Sequence, residues 1–368
     1  MIEFIRIENF KTLLEADFPL SSLNIFSGLN GMGKSSLVQS LLLLRQSYDK
    51  NTLPSKGLLL NGEYVELGMG DDVLSSNSEN EQIRFLVKWE NEQATEFLFQ
   101  VDPESDLLPK ASSKKIQINN SKSLFSSQFQ YLSADRISPQ SNYAMSDYHI
   151  KDQNSLGNKG EYTVHYIATN DLEKLSVKAL KHPNTKTETF LENLETWMAG
   201  ITPGVKIRAN TQKKFNTATL SYYFIQGKDS TADIKPQNVG FGLTYALPVV
   251  TAILKSKPKD LLIIENPESH LHPAGQAMLG KLCCLAASGG VQLIIESHSD
   301  HFLNGVRVGV KEKLLSHEKV RLFFLERPFD QATHSSIVQN PSIDEQGRLD
   351  FWPEGFFDEW DKQLDSLL

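Results

Sequence analysis

The sequence predicts an α/β fold: a mixed, largely parallel core sheet drawn from two distant parts of the chain, an antiparallel β subdomain, and a mid-chain helical/β insertion. Three observations predict it. Residues 28–36 read GLNGMGKSS, which fits G-x-x-x-x-G-K-[ST], and they follow a short apolar stretch at 23–26. The segment behind them, 35–45, places Leu37, Leu41, Leu42 and Leu44 at helical spacing. Far downstream, the apolar runs at 260–265, 291–296 and 320–325 are continuous, as strands buried on both faces require. Helical stretches at 243–254, 273–287 and 300–309 precede or separate them. Between these two blocks the patterning is that of hairpins, unlike a simple alternating βα unit.

Residues 1–20 read as two strands about a turn at 9–12, with Phe4, Ile5 and Ile7 before it and Phe18 and Leu20 after it. The stretch 58–68 reads as strand, Asn61-Gly62 turn and strand, and 83–89 with 94–101 reads as a second hairpin. From 102 to 124 the chain is rich in Ser, Asn and Lys and predicts a surface loop with a short strand at 115–118. A strand at 128–132 delivers Asp135 and Arg136 to its end. Two readings of that pair stay open: a site arginine with its orienting carboxylate, or a local ion pair that shapes the turn. Residues 142–158 are polar and predict irregular structure, and 187–198 predicts a helix with Phe190, Leu191, Leu194 and Trp197 on one face. After Pro203-Gly204, 205–208 pairs with 217–225 across a turn carrying Lys206, Arg208, Lys213 and Lys214. That turn is a solvated hairpin tip or a contact for a phosphate backbone. The expected division is 1–164, an N-terminal lobe; 165–234, an insertion; and 235–368, a C-terminal lobe.

Composition bounds the function. With 40% hydrophobic and 22% charged residues the chain is an ordinary globular protein, and a net charge of −8 argues against coating nucleic acid by bulk electrostatics. A local basic groove is compatible with that charge. No apolar stretch approaches ~18 residues, the run at 245–254 being short and holding Pro248, so no membrane insertion is expected. The N-terminus lacks a basic segment followed by an apolar one, and no signal peptide is expected. Cys283 and Cys284 are adjacent and cannot form an ordinary disulfide, which predicts reduced residues on a buried helix face in a cytoplasmic protein.

The chemistry of 28–36 follows from its residue types. Gly28, Gly31 and Gly33 let the backbone curl so that its N–H groups face a phosphate, and the helix N-terminus adds partial positive charge. Lys34 can reach the β- and γ-phosphates, and the Ser35 hydroxyl can ligate Mg²⁺. Nucleoside triphosphate binding is therefore expected. The run 261–265 ends in Glu265, an acid suited to holding the Mg²⁺ shell, and is followed by NPESHLHP. A second apolar strand ends in ESHSD, where His298 either contacts the γ-phosphate or attacking water, or caps the next helix. Asn238, Gly240 and Gly242 precede a helix; such an entry binds a phosphate of a second nucleotide or is simply a turn. His270 and His272, flanking Leu271 with no cysteine nearby, make a poor metal pair.

The set GLNGMGKSS, NVGFGLTYALP, LLIIENPESHLHP and ESHSDHFLNGVR, in this order, resembles the ABC-type ATPase heads of the SMC/RecF/OLD group. The ending GRLDFWPEGFFD resembles that of bacterial stand-alone AAA-family ATPases of this kind. The resemblance implies an ABC/SMC-type P-loop NTPase head with ATP and Mg²⁺ as cofactors. It implies that Asn30, Gly31, Gly33, Lys34, Ser35 and Ser36 form Walker A, with Lys11 and Thr12 in an N-terminal loop approaching the nucleotide. Asn238, Gly240 and Gly242 stand where the ABC signature loop lies, Glu265 is the Walker B acid, and His298 is the switch histidine. The segment at 270–273 stands near the dimer-contacting loop.

Two departures matter. Asn266 occupies the place of the catalytic Glu, and an amide can orient water but cannot take its proton; Glu268 is the expected substitute. The signature loop lacks Ser-Gly-Gly-Gln, and Pro248 is expected to kink the helix behind it. The resemblance implies a nucleotide-dependent homodimer or higher oligomer acting with a co-encoded nuclease or toxin effector in anti-phage defence or DNA repair, with possible DNA contact. About 40 residues follow the run at 320–325, so a C-terminal Toprim nuclease domain is not expected. A transporter ATPase subunit and a weakly hydrolysing ATP clamp are the alternatives. The terminal stretch 356–360 is expected to form an amphipathic helix packing its aromatics on the core, or to dock a partner.

Overall fold

The computed structural model describes residues 1–112, 118–119, 121–327, 335–357 and 359–367. Most of the strand expected at 115–118, Asp358 and the side chain of Trp360 lie outside the described residues. The chain divides into two compact units.

The first unit holds residues 1–126, 320–342 and 349–368. Along the chain it contains β1 (Ile2–Phe10), β2 (Leu13–Pro19), β3 (Leu23–Gly28), α1 (Lys34–Asp49), β4 (Gly57–Leu59), α2 (Gly70–Val73), β5 (Gln82–Trp89), β6 (Thr95–Gln100) and β7 (Leu107–Pro109). Its later elements are β15 (Val320–Glu326), β16 (Ile337–Gln339) and α8 (Glu359–Asp365). The antiparallel subdomain is a sheet of order β2-β1-β5-β6, as the alternating patterns predict. The core strand β3 is buried at every residue and runs parallel to β15, with β16 antiparallel on the other side of β15. Phe26 of β3 stacks on Phe323 of β15 at 4.6 Å, so this pairing aligns the strand that feeds the glycine-rich loop. Phe356 is buried and meets Phe324 edge-on at 5.4 Å, which accounts for one of the aromatics expected to pack at the C-terminus.

The expected hairpin at 58–68 is reduced to an isolated Asn61–Glu66 bridge, and β4 pairs with β7 instead. The buried side chain of Gln46 is the reason. Its amide donates to Leu59 O at 2.8 Å and its carbonyl accepts from the N–H groups of Tyr64 and Val65 at 3.3 and 3.2 Å. A side chain on α1 thus replaces the ladder that a second strand would supply.

The second unit holds residues 127–319 and 343–348. It contains β8 (Phe129–Leu132), β9 (Tyr143–Ala144), α3 (Thr163–Thr169), α4 (Phe190–Ala199), β10 (Val205–Gln212), β11 (Thr217–Gln226), β12 (Asp229–Ser230), α5 (Phe241–Lys255), β13 (Leu261–Glu265), α6 (Pro273–Ser288), β14 (Gln292–Glu296) and α7 (Asp300–Lys311). β14, β13 and β8 are parallel, with Ile264 level with both Ile295 and Leu132, so the three carboxyl ends open on the same edge. That edge is where open α/β sheets place their chemistry. Cys283 and Cys284 are fully buried in α6; burial pushes the Cys284 thiol up to about 12, so both stay protonated.

The segment 142–158, read as irregular, forms β9 and a single π-helical turn at Tyr148–Asp152. β9 is held by pairing Tyr143 and Ala144 with β11, a long-range contact that local polarity does not reveal. The helix α5 runs through Pro248 as one helix. Gly160 makes room there, since a Cβ on it would lie 2.5 Å from the proline ring. Of the basic hairpin, Lys206 pairs with Glu195 at 2.7 Å and Arg208 with Asp233 at 2.6 Å. Lys213 and Lys214 sit exposed in the turn between β10 and β11.

Candidate nucleotide and catalytic residues

The glycine-rich loop of the first unit has the backbone that a phosphate cradle needs. Gly28, Gly31 and Gly33 have φ of +144°, +78° and +90°, values that L side chains rarely adopt. At Gly28 there is no space either, for a Cβ would lie 2.2 Å from Leu325 O of β15. Gly33 is the N-cap of α1, which has no capping side chain and no acid in its first turn. The positive end of a 16-residue helix therefore faces the loop with no carboxylate in its first turn to offset it. Asn30 and Gly31 are exposed at the loop crest, and Ser35 is half-buried at the helix start. Lys34 and Ser36 are buried; Lys34 Nζ donates to Leu29 O at 2.9 Å, and Ser36 N donates to Gly33 O at 3.0 Å.

Lys11 and Thr12 form the turn between β1 and β2, and this turn meets the loop: the Cβ position of Gly33 is 2.5 Å from Thr12 Oγ1. Lys11 adopts φ +55° and its Nζ donates to Gln39 Oε1 of α1 at 2.9 Å. Burial holds this ammonium below the usual lysine range, with Asp72 opposing.

In the second unit the chemistry gathers at the carboxyl ends of β8, β13 and β14. Glu265 ends β13 level with Glu296 of β14. Its two oxygens accept from Tyr131 OH at 3.1 Å and Ala134 N at 3.2 Å. Asn266 turns the chain with φ +44°, and its N–H donates to Glu296 O at 2.8 Å. Glu268 is 8% exposed, and its Oε1 accepts from His298 N at 2.8 Å. Two buried oxygens here have no hydrogen-bond partner among the described residues: Asn266 Oδ1 and Glu268 Oε2. Burial raises the pKa of Glu265 and Glu268 alike, against the hydrogen bonds and the Arg136 charge that favour ionisation. A carboxylate raised in this way is a better base than one in water.

The structure matches neither reading of Asp135 and Arg136 as a pair, because each bonds elsewhere. Asp135 is exposed and pairs with Lys159 at 2.5 Å. Arg136 is 1% exposed and donates to Asn266 O at 3.0 Å and, at shorter range, to Glu265 O. It clamps the turn that carries Glu265, Asn266 and Glu268, and burial brings its own pKa down to about 10 while the nearby carboxylates oppose that shift. Sequence reasoning named Arg136 without this role and missed Tyr131 as a donor to Glu265. The one available signal was position, at and just past the end of a buried strand.

His298 is exposed, and the cap of α7 is Ser299, whose Oγ accepts from Phe302 N at 2.9 Å. The capping alternative for His298 is thereby removed. His272 caps α6, its Nδ1 accepting from Ala274 N at 3.3 Å, while His270 points its ring at Tyr245, 4.7 Å between centroids. Asn238, Gly240 and Gly242 lie at the start of α5 and line a cavity of about 360 Å³ with His270, His272 and Ile201. The Cβ position of Gly242 is 2.6 Å from His270 O, so the helix entry and the loop after Glu268 pack as one surface.

The donor sets fit ATP and Mg²⁺. The loop offers backbone N–H groups, a lysine and a hydroxyl, and the turn after β13 offers carboxylate and amide oxygens, the hard donors that Mg²⁺ takes alongside water and phosphate.

Comparison with solved structures supports the fold. A crystal structure of the SmcHead bound to the C-winged helix domain of ScpA is similar with a TM-score of 0.52 at 12% identity, covering 94% of this chain and 98% of that one. An Smc head domain with an extended coiled coil, bound to the C-terminal domain of ScpA and derived from Pyrococcus furiosus, gives 0.50 at 14% identity, covering 100% and 99%. A search of curated proteins finds no sequence match. Residues 315–367 match a family described as "Protein of unknown function (DUF3696)". Residues 23–304 match the family "AAA domain, putative AbiEii toxin, Type IV TA system". That match spans most of the chain and includes the loop, the strand-end acids and His298; the chain belongs to this AAA family and has the ABC/SMC-head type of ATPase fold.

Proposed function

We propose that the chain binds ATP with Mg²⁺ and hydrolyses it, and that two copies close around the nucleotides. Asn30, Gly31, Gly33, Lys34, Ser35 and Ser36, with Lys11 and Thr12, bind the phosphates in one copy. Asn238, Gly240 and Gly242 of a second copy cap the γ-phosphate, as the open helix entry of α5 allows. Ser35 and Glu265 hold Mg²⁺, which when bound neutralises charge on the β- and γ-phosphates. Glu268 takes the proton of the attacking water, Asn266 orients that water, and His298 contacts the γ-phosphate. The lobes carry these parts as 1–164 and 235–368, with 165–234 as the insertion.

The observation that carries the hydrolytic reading is the pair of unpartnered oxygens, Glu268 Oε2 and Asn266 Oδ1, in one turn clamped by Arg136. A buried acceptor without a donor costs free energy, and a bound water molecule would offset that cost at either oxygen. One carboxylate and one amide, acting together, supply the proton acceptor and the positioning that a single catalytic Glu would supply alone. The test is ATP turnover in Glu268→Gln, Asn266→Ala and Glu265→Gln. Loss in Glu268→Gln supports the assignment, and turnover equal to the parent's contradicts it.

The biological reading is a sensor or regulatory subunit in prokaryotic defence, acting with a separate nuclease or toxin effector. The toxin–antitoxin description of the family supports the defence role, and the Smc heads of this fold are themselves bound to a partner, ScpA. Among the described residues no helix is long and apolar enough to cross a membrane. Lys213 and Lys214 are where a nucleic-acid backbone would be met. Purification of the native protein with its co-encoded neighbours, with and without ATP, tests this: absence of any ATP-dependent partner would contradict it.

A further inference from the structure

Gly33 opens α1 in the left-handed region, and two hydroxyls crowd the space its missing side chain leaves. A Cβ there would lie 2.5 Å from Thr12 Oγ1 and 3.0 Å from Ser336 Oγ. Both oxygens are buried, and neither has a hydrogen-bond partner among the described residues. Ser336 is 7% exposed, and its N–H donates to Thr12 O at 2.8 Å, so the two residues are held side by side against the loop. Packing alone does not account for them. Alanine and valine would fill similar volumes without the cost of two buried, unsatisfied hydroxyls. Beside them lies the start of α1, which lacks both a capping side chain and an acid in its first turn. Two hydroxyls without a hydrogen-bond partner among the described residues thus face the glycine-rich loop beside the positive end of α1.

We propose that Ser336 is a further nucleotide-binding residue, donating with Thr12 to phosphate oxygens of the nucleotide held by residues 28–36. This rests on reading that loop as the ATP site. It also gives a task to the C-terminal stretch matched to a family of unknown function, residues 315–367, which supplies Ser336. The N–H bond from Ser336 to Thr12 makes the two hydroxyls a unit. Losing either one removes a donor to a charged acceptor.

The test is binding of Mg-ATP, Mg-ADP and AMP to the full chain and to Ser336→Ala, Thr12→Val and Lys34→Ala, with the melting temperature of each nucleotide-free protein. The expected result is that Ser336→Ala and Thr12→Val each weaken Mg-ATP binding about tenfold or more, the scale of one hydrogen bond to a charged group. The nucleotide-free melting temperature is unchanged or raised, because the unsatisfied hydroxyl is gone. Loss shared by ATP and ADP places the contact on the α- or β-phosphate, and loss confined to ATP places it on the γ-phosphate. If Ser336→Ala lowers the melting temperature, Thr12→Val carries the same test with volume conserved. Parent-like affinity in both variants, with Lys34→Ala impaired, overturns this proposal alone. A parent protein that binds no nucleotide overturns the ATP reading and this proposal with it.

Discussion

In the first unit the proposed grip on the nucleotide rests on backbone: three glycines at positive φ shape the loop, an uncapped helix begins behind it, and one lysine completes the set. At the strand ends of the second unit the chemistry is carried by side chains whose protonation and free lone pairs depend on burial. Glu265 has both oxygens engaged by Tyr131 and Ala134, whereas Glu268 keeps one oxygen open. Backbone geometry is written into glycine spacing and survives changes around it. The reactivity of a buried carboxylate is set by neighbours that arrive from elsewhere in the chain, here Arg136, Tyr131 and His298. On the proposed function, gripping ATP and cutting it are therefore separable, and each should be breakable without the other.

The largest effect is expected on the gripping side. Lys34→Ala removes a charge-assisted contact to phosphate and should weaken ATP binding by at least about thirtyfold, measured by titration with a fluorescent ATP analogue. Near-parent affinity would detach the loop from nucleotide binding.

A smaller effect sharpens the account of Glu268. Burial raises its pKa, so its ionisation opposes folding. Below the ordinary carboxylate range both folded and unfolded states hold the proton and no cost arises. As pH rises through that range the unfolded state ionises first, and stability is lost until the folded-state pKa is passed. Glu268→Gln should thus match the parent in acid and exceed it in stability near neutrality, read from urea unfolding at several pH values. Equal stability at all pH values would mean that Glu268 is solvated and its free oxygen needs no partner.

The smallest effect concerns the hairpin tip. Replacing Lys213 and Lys214 with Glu should leave ATP turnover unchanged. It should lower the slope of log affinity for DNA against log salt by roughly 2, one for each lost phosphate contact. An unchanged slope would remove the tip from any nucleic-acid surface.

How much of this was legible in the sequence differs between the same two regions. The loop, its flanking strand and helix, and the three later strands, two of them with their terminal acids, are legible within a few residues, because glycine spacing and continuous apolar runs are local signals. Failures came where a distant side chain overrode a local pattern. Gln46 took the backbone groups of 59–65 that a hairpin would have paired. Asp135 and Arg136 are neighbours in sequence, yet one faces Lys159 at the surface and the other is buried beneath Glu265. Ser336 gave no signal, since a serine announces itself only when the chain brings it to Gly33.

The separation of gripping from cutting is tested most directly by single-turnover ATP hydrolysis in Glu268→Gln, with ATP binding measured on the same preparation. The account predicts binding close to the parent's and a hydrolysis rate lower by about 10²–10⁴-fold, the contribution of a positioned general base. Parent-like hydrolysis with parent-like binding would contradict it, and the carboxylate that activates water would have to be another.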